Sequence, residues 1–187
     1  MTAGTILVVC TANICRSPVA AMLLGHELGE LGISVTSAGT HALVGSSPAP
    51  ESVDFVRMRS GAELEWHGVQ LTKAAAEVPD LILTMTEEQR SWIARLAPRT
   101  VRRTFTLLEF ARVVNLLDDD AAFASLTDLV RACVPLRQRA SLDDEPNDVP
   151  DPFGGPAEGY ETSFRTVEDA TRRVSRAISR YLMAASS

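Results

Sequence analysis

Short apolar runs rich in β-branched residues alternate along the chain with longer segments whose apolar residues recur at helical spacing. Residues 5–9 and 80–85 predict buried strands, residues 33–37 predict another strand, and residues 101–107 predict a short one. Helices are predicted at residues 18–31, 50–60, 87–96, from 109 onwards and at 163–183. Strands separated by helices are typical of parallel βαβ units, so the pattern predicts a three-layer α/β fold. Such folds bind ligands at the carboxyl ends of their strands, and the first strand ends at Cys10.

Two segments depart from this alternation. Residues 140–159 contain four prolines and three glycines, which predicts a long surface loop, and loops of that length are often functional. Within residues 115–140, Asp118–Asp120 predicts the cap of a helix that begins at Ala121. Its apolar residues would cover the core or contact a partner, and the core is the interpretation that we favour for Ala122, Phe123, Leu126, Leu129 and Val130.

The composition indicates one folded domain spanning residues 1–187, because 45% of the residues are hydrophobic and 22% are charged. The net charge is −6 although 17 of the 18 basic residues are arginines, and this balance argues against a nucleic-acid partner. No run approaches the ~18 apolar residues of a membrane span, and the first residues do not resemble a signal peptide. We therefore expect a cytoplasmic protein with no membrane partner.

A cysteine and an arginine six positions apart occur twice, at Cys10–Arg16 and at Cys133–Arg139. Pro135 interrupts the second copy and no buried strand leads into it, so Cys133 is predicted to be a core residue on a helix. The first copy follows a buried strand and ends where a helix begins. Three cysteines are too few for a disulfide scaffold, and the three histidines are scattered without metal-ligand spacing.

The first copy has the surroundings of an anion-binding loop. Small residues after Cys10 allow successive backbone N–H groups to turn inward, and the positive end of the next helix dipole adds to the attraction. Ser17 and Pro18 are predicted as the N-cap and the first residue of that helix. The planar guanidinium of Arg16 can hold two oxygens of a phosphate. These donors also favour a thiolate, so Cys10 is predicted to be a nucleophile beneath a bound phosphate.

Four blocks of the chain resemble the low-molecular-weight protein tyrosine phosphatases. They are similar to the family's signature loop, second strand end, next central strand and acid loop, and comprise Val9–Pro18, Ser37–Thr40, Asp80–Thr86 and Asp151–Gly155. The resemblance implies a flavodoxin-like fold with a four-stranded parallel sheet, and a two-step mechanism without a metal or another cofactor. The segment at about 115–140 is longer than the usual connection in this family.

The resemblance also assigns the chemistry to residues. Cys10 would attack phosphorus and become a phosphocysteine, and Asp151 would protonate the leaving oxygen and then accept a proton from the hydrolytic water. Arg16 would bind the phosphoryl oxygens together with the loop amides, namely those of Thr11, Ala12, Asn13, Ile14 and Cys15. Without the resemblance, four other acidic residues of the same loop would compete for the acid role: Asp143, Asp144, Glu145 and Asp148.

Four residues are expected to support this site. Ser17 would donate a hydrogen bond to the thiolate, and Pro152 would restrict the backbone of the acid. Asn13 would brace the loop through its side-chain amide, in an unfavourable backbone region. His67 resembles a family histidine that supports this asparagine, and a purely structural histidine is the alternative.

Two loop positions raise further expectations. Ala12 stands where the family usually has glycine, and it would strain the loop if that position required a positive φ. Cys15 could form a disulfide with Cys10 under oxidation, as in several members of the family, or could be a small residue packed below the loop.

The expected substrate rim, formed by Leu43, Val44 and Phe153, has one aromatic residue where many tyrosine-specific members have two or three. A phosphotyrosine protein is nevertheless the favoured substrate, because a related phosphoarginine-hydrolysing branch carries threonine where this chain has Ile14. That branch shares the sequence of Asp151–Gly155, so phosphoarginine stays an alternative, as does a small phosphomonoester.

Two other functions have less support. A thioredoxin-linked arsenate reductase would need two further cysteines to relay a disulfide, and only Cys133 is available. A non-catalytic phosphate-binding regulator would be expected to lack the nucleophile, the arginine or the acid, and all three are present.

Overall fold

The computed structural model describes residues 4–61, 66–140 and 145–185. Its strands are β1 (Gly4–Cys10), β2 (Ile33–Gly39), β3 (Leu81–Thr84) and β4 (Thr104–Thr106). They form one parallel sheet in the order β2-β1-β3-β4, which confirms the predicted four-stranded α/β fold. The chain order reverses between β1 and β3, and the carboxyl ends of strands at such a point form a crevice that binds ligands.

The described helices surround this sheet. They are α1 (Arg16–Leu28), α2 (Pro50–Ser60), α3 (Lys73–Glu77), α4 (Glu87–Leu96), α5 (Leu107–Val113), α6 (Leu126–Cys133), α7 (Arg137–Ala140) and α8 (Ala157–Ala184). A 3₁₀ helix at Pro98–Arg103 occupies the first part of the segment predicted as the fourth strand. None of the described helices has the length and hydropathy that crossing a bilayer requires.

Side chains of β1 alternate between two cores, because successive residues of a strand point to opposite faces. Ile6 and Val8 pack into the larger core with buried residues of α1, α5 and α8. Leu7 and Val9 pack into a smaller core with Ile93 of α4. Both faces of the strand are therefore covered, which explains its continuous apolar sequence.

Two helices begin earlier than predicted. Cys15 is the N-cap of α1, so Ser17 lies inside the first turn and its prediction as the N-cap is wrong. The physical reason is that the Ser17 hydroxyl donates instead to the sulfur of Cys10 at the end of β1. Helix α8 begins at Ala157 rather than near Ser163, because the ring of Tyr160 in its first turn packs against that of Phe164 and compensates for the preceding Gly159.

The segment before α6 differs from its prediction. The helix expected from Ala121 begins at Leu126, where the Ser125 hydroxyl accepts a hydrogen bond from a first-turn amide, so Asp118–Asp120 is not its cap. The core prediction is confirmed for the residues within α6, which are buried: Leu126, Leu129 and Val130. Ala122 is exposed and Phe123 is half-buried. Residues 145–156, the described part of the predicted long loop, contain neither helix nor strand.

Candidate active site

The loop of residues 11–15 joins β1 to α1 at the carboxyl end of the sheet. The turn after β2 packs against it, because three amides donate to the carbonyls of residues 10–12 at 3.0 Å, those of Thr40, His41 and Leu43. Glycine at position 39 permits this approach, since a Cβ there would lie 2.5 Å from the carbonyl oxygen of Thr11. Local backbone contacts therefore fix the loop on this side.

Gln89 of α4 holds the loop from the other side. Its Oε1 accepts hydrogen bonds from the amides of Met85 (2.9 Å) and Thr86 (3.1 Å), and its Nε2 donates to Oγ1 of Thr11 at 3.1 Å. The sequence pattern predicts Gln89 only as a residue at the start of the helix at 87–96. The capping-box spacing of Thr86 and Gln89, directly after a central strand, was the available signal for this contact.

The sulfur of Cys10 is buried and accepts two hydrogen bonds. The amide of Asn13 donates to it at 3.3 Å and the hydroxyl of Ser17 at 2.9 Å. The hydrogen bond expected from Ser17 is thus present. Both donors can stabilise a negative charge on this sulfur.

Asn13 is fully buried, and its side-chain amide makes four hydrogen bonds. Nδ2 donates to the hydroxyls of Ser17 (2.9 Å) and Ser37 (2.7 Å), and Oδ1 accepts from the amide of Val69 (2.9 Å) and the indole of Trp66 (3.2 Å). Its φ is 57°, the one positive φ of a non-glycine residue in the described chain. The brace and the unfavourable backbone region expected at Asn13 are both present.

Two neighbouring expectations are corrected. His67 is exposed and the contact to Asn13 comes from the indole of Trp66, because the chain presents the larger ring to the loop. Ala12 does not have a positive φ, so the strain expected there is absent and the loop turns at Asn13 instead. No sequence signal other than adjacency to His67 pointed to Trp66.

Arg16 lies buried at the start of α1, with 3% of its side chain exposed. Its Nη1 donates to the carbonyl of Val149 at 3.1 Å, and its Nη2 is 2.6 Å from Oδ2 of Asp151. Its Nε is buried and has no hydrogen-bond partner within the described residues. The guanidinium is therefore oriented by the acid loop, and the N–H of its Nε is among the donors left for a ligand.

Asp151 is held at the mouth of the site although 53% of its side chain is exposed. Its Oδ1 accepts a hydrogen bond from the amide of Phe153 at 3.2 Å. The preceding carbonyl, that of Pro150, accepts from the hydroxyl of Ser163 at 2.9 Å, and the amide of Val149 donates to Met85 at 2.8 Å. Helix α8 and the residue after β3 thus anchor the two residues that precede the acid.

The competing carboxylates have other partners. Oδ1 of Asp148 accepts from the first amide of α4 at 2.8 Å, and Glu145 lies 3.7 Å from the guanidinium of Arg112. Asp143 and Asp144 lie outside the described residues. Asp151 is the described carboxylate of this loop that reaches Arg16.

These groups surround a cavity of about 110 Å³. Its lining comprises Cys10, Thr11, Ala12, Ile14, Cys15, Arg16, Asp151 and Phe153. Of the expected rim residues, Phe153 lines the cavity and is 60% exposed, whereas Leu43 and Val44 are exposed beside the loop without lining it. The turn that carries them approaches the loop through its backbone, which directs these side chains elsewhere. Pro152 is buried next to the acid.

The other two thiols have different environments. Burial raises the pKa of Cys15 to about 11, although a hydrogen bond with Ser52 opposes this shift. Burial also raises the pKa of Cys133 to about 12. All three cysteines are free and buried, so the pair Cys10–Cys15 is not bonded in this structure.

Comparison with known proteins places this arrangement in a family. A family model described as low molecular weight phosphotyrosine protein phosphatase matches residues 5–121. The chain belongs to this family of phosphatases, as the resemblance predicted.

Individual relatives differ in their substrates. The low molecular weight protein-tyrosine-phosphatase Etp of Escherichia coli is 42% identical over 102 residues, which are 54% of this chain and 67% of Etp. A protein-arginine-phosphatase of Geobacillus stearothermophilus is 31% identical over 169 residues, 90% of this chain and 92% of the relative.

Solved structures show the same division. The YwlE arginine phosphatase from Geobacillus stearothermophilus has a TM-score of 0.71 and 28% identity, and the match covers 94% of this chain and 92% of the YwlE chain. The tyrosine phosphatase Wzb from Escherichia coli, solved with sulphate, has a TM-score of 0.69 and 25% identity, and the match covers 94% of this chain and 98% of the Wzb chain.

Proposed function

We propose that this protein hydrolyses phosphomonoesters through a phosphocysteine on Cys10. The thiolate attacks phosphorus, an S–P bond forms, the bond from phosphorus to the leaving oxygen breaks, and Asp151 supplies the proton that this oxygen needs. Water then attacks phosphorus, the S–P bond breaks, and Asp151 takes the proton of the water. The observation that supports these roles is the convergence of Cys10, Arg16 and Asp151 on one cavity.

The loop amides support transition-state stabilisation. Apart from that of Asn13, which donates to the sulfur, the amides of residues 11–15 donate to no other group in the described part of the chain. Together with the Nε of Arg16 they are available to three phosphoryl oxygens. A bound phosphate would also compete with Asp151 for the guanidinium of Arg16, and this frees the carboxyl to carry the proton.

Phosphotyrosine in proteins is the substrate that we infer. Ile14 lines the cavity and is 6% exposed, so the wall beside the phosphate is apolar, and Phe153 offers one aromatic surface to a phenyl ring. Phosphoarginine is the second candidate, because the arginine phosphatase of Geobacillus stearothermophilus aligns with 90% of this chain. We place the enzyme in the cytoplasm, where reducing conditions keep Cys10 and Cys15 as thiols.

The test is steady-state hydrolysis of a phosphotyrosine peptide and a phosphoarginine peptide, with and without EDTA. We expect the same rates with and without EDTA. We also expect kcat/KM to be at least about tenfold higher for the phosphotyrosine peptide, since an apolar wall offers no hydrogen-bond acceptor to the guanidinium of a phosphoarginine substrate. Ile14→Thr should shift this ratio towards phosphoarginine, and Ile14→Val should leave it unchanged. A preference for phosphoarginine in the wild type would overturn the substrate assignment, and no turnover of either would overturn the function.

A further inference from the structure

A second, larger cavity lies at the amino end of the sheet. It has a volume of about 480 Å³ and is enclosed by the residue before β3, by the 3₁₀ helix Pro98–Arg103 and by α6. Strand β1 alone separates the two ends of the sheet by roughly 20 Å at the usual rise of a strand. This cavity is therefore distinct from the one beside Cys10.

Four arginines line the cavity, in a chain whose net charge is −6. Arg99 and Arg102 are exposed and form no ion pair with a carboxylate in the described part of the chain. Arg131 forms an exposed ion pair with Asp128 at 3.2 Å, and such a pair contributes little and exchanges readily with water. The charges of Arg99 and Arg102 are thus not neutralised by an ion pair in the described part of the chain.

Arg103 adds a buried donor. One of its terminal nitrogens donates to the carbonyl of Glu77, which fixes the side chain at the end of α3. Its Nε is buried and, among the residues that the structure describes, has no hydrogen-bond partner. Arg103 lines the cavity, so this fixed guanidinium adds its charge to those of Arg99 and Arg102.

Asp80, the carboxylate of the cavity, is engaged by other groups. Its Oδ2 accepts from the amide (2.8 Å) and hydroxyl (3.0 Å) of Thr5, and its Oδ1 accepts from the hydroxyl of Thr127 at 2.7 Å. Burial opposes its charge, but these hydrogen bonds and the nearby Arg103 hold the pKa of Asp80 below its ordinary value. Asp80 therefore joins α6 to the sheet and does not form an ion pair with the arginines.

The remaining wall is apolar and comes from the part of the chain that follows the family match. Val130, Val134 and Pro135 belong to α6 and the turn after it, whereas the family model ends at residue 121. Cavities of several hundred Å³ with an apolar wall and a few convergent polar groups are typical of small-molecule sites. The segment at 115–140, whose role the sequence left open, thus completes a concave site.

We propose that this cavity binds a small organic molecule with two or more phosphate groups, of the nucleoside diphosphate class. Planar guanidinium groups bind phosphate oxygens in pairs, and Arg99, Arg102 and Arg103 offer three of them from one short helix. The organic part of the ligand contacts the apolar wall of α6. A concave site of this size selects a compact polyanion over an extended acidic peptide.

The test is calorimetric titration of the full chain with ADP, inorganic pyrophosphate and a hexaglutamate peptide. The variant Arg99→Gln/Arg102→Gln removes two exposed cavity charges. The matched control is Arg173→Gln/Arg176→Gln, which removes two exposed arginines of α8. We expect ADP to bind more tightly than pyrophosphate, the cavity variant to weaken ADP binding about tenfold or more, and the control to change it less than about twofold.

Amide chemical shifts locate the binding. Under the proposal ADP shifts the amides of Val130 and Arg131, whether or not it also shifts those of residues 11–16. Four outcomes would overturn the proposal: no binding, shifts confined to residues 11–16, equal weakening by the two double variants, or hexaglutamate binding as tightly as ADP with the same dependence on Arg99 and Arg102.

Discussion

The spacing Cys-x5-Arg occurs twice in this chain, and its two copies have opposite surroundings. Cys10 ends a central strand, accepts hydrogen bonds from an amide and a hydroxyl, and lines a cavity with Arg16. Cys133 ends helix α6, is fully buried among apolar residues, and its pKa is raised by that burial to about 12. Arg139 is exposed on the short helix α7 and forms no ion pair with a described carboxylate.

The difference shows what the spacing needs before it supports catalysis. A strand that ends at the sulfur leaves the next amides unpaired by the sheet, and a helix that begins at the arginine fixes the guanidinium over them. In the second copy, a 3₁₀ turn and a helix occupy the residues from Val134 to Arg139, and Pro135 among them has no amide N–H, so these residues form no anion-binding loop. The same residue types therefore build an anion site in one place and part of the core in the other.

The largest difference between the two copies is expected when the sulfur of Cys10 or of Cys133 is removed. We expect Cys10→Ser to lower kcat for aryl phosphate on the order of 10⁴-fold or more, because a serine hydroxyl without an activating base is a poor nucleophile. Cys133→Ala should keep kcat within about twofold and lower the free energy of unfolding by about 1–2 kcal/mol, measured in urea. Substantial turnover by Cys10→Ser would refute the nucleophile assignment.

The two copies also differ in that Arg16 faces a carboxylate, that of Asp151. Asp151→Asn should lower kcat about 10²- to 10³-fold for a phosphotyrosine peptide, and less for a nitrophenyl ester whose leaving group needs no proton. Asp148→Asn is the matched control on the same loop, since an amide oxygen can still accept the bond from α4. Equal losses in both variants would indicate a structural role of the loop.

Removing the hydroxyl next to Cys10 or Cys15 should change the reaction rates less than these substitutions do. Ser17→Ala removes a donor to the sulfur of Cys10 and should slow both turnover and alkylation by iodoacetamide about 10- to 100-fold at neutral pH, as the loss of a hydrogen bond to a charged group does. Ser52→Ala removes the hydroxyl beside Cys15 and should change both rates less than about threefold. If Ser17→Ala slowed turnover but left the pH profile of alkylation unchanged, the hydroxyl would not act through the sulfur.

The smallest expected effect concerns the pH dependence of stability. The pKa of Cys133 is raised above the ordinary 9.0 to about 12, so below pH 9 the thiol is neutral in both states and its burial contributes fully. Above pH 9 the unfolded thiol ionises first, and this contribution is lost. Between about pH 8 and pH 10 the wild type should lose about 1 kcal/mol more stability in urea than Cys133→Ala. Parallel pH curves would contradict the assigned environment of Cys133.

Local patterns were sufficient for most of the fold. Apolar and β-branched segments predicted β1, β2 and β3, and the helices predicted at residues 50–60 and 87–96 have the limits of α2 and α4. The errors lie where a tertiary contact competes with a local preference. Ser17 has the residue type of an N-cap, but its hydroxyl bonds to sulfur, and Asp118–Asp120 has the type of a cap where Ser125 is used.

The candidate site divides in the same way. Cys10, Arg16 and Asp151 could be named from the sequence because family motifs mark them. Trp66 could not, since it acts through one bond to the loop from a distant segment, and Gln89 was marked only by its capping-box spacing with Thr86. The two rim residues Leu43 and Val44 were misplaced because backbone contacts of their turn decide where the side chains lie.

The sequence by itself determined the sheet, the anion-binding loop and the family, because each depends on residues that are neighbours in the chain or on blocks in a fixed order. Only the tertiary structure decided which ring braces Asn13, and that α6 completes an arginine-lined cavity at the far end of the sheet. The physical reason is that these features join residues dozens of positions apart. Their distances are set by the packing of helices on both faces of the sheet.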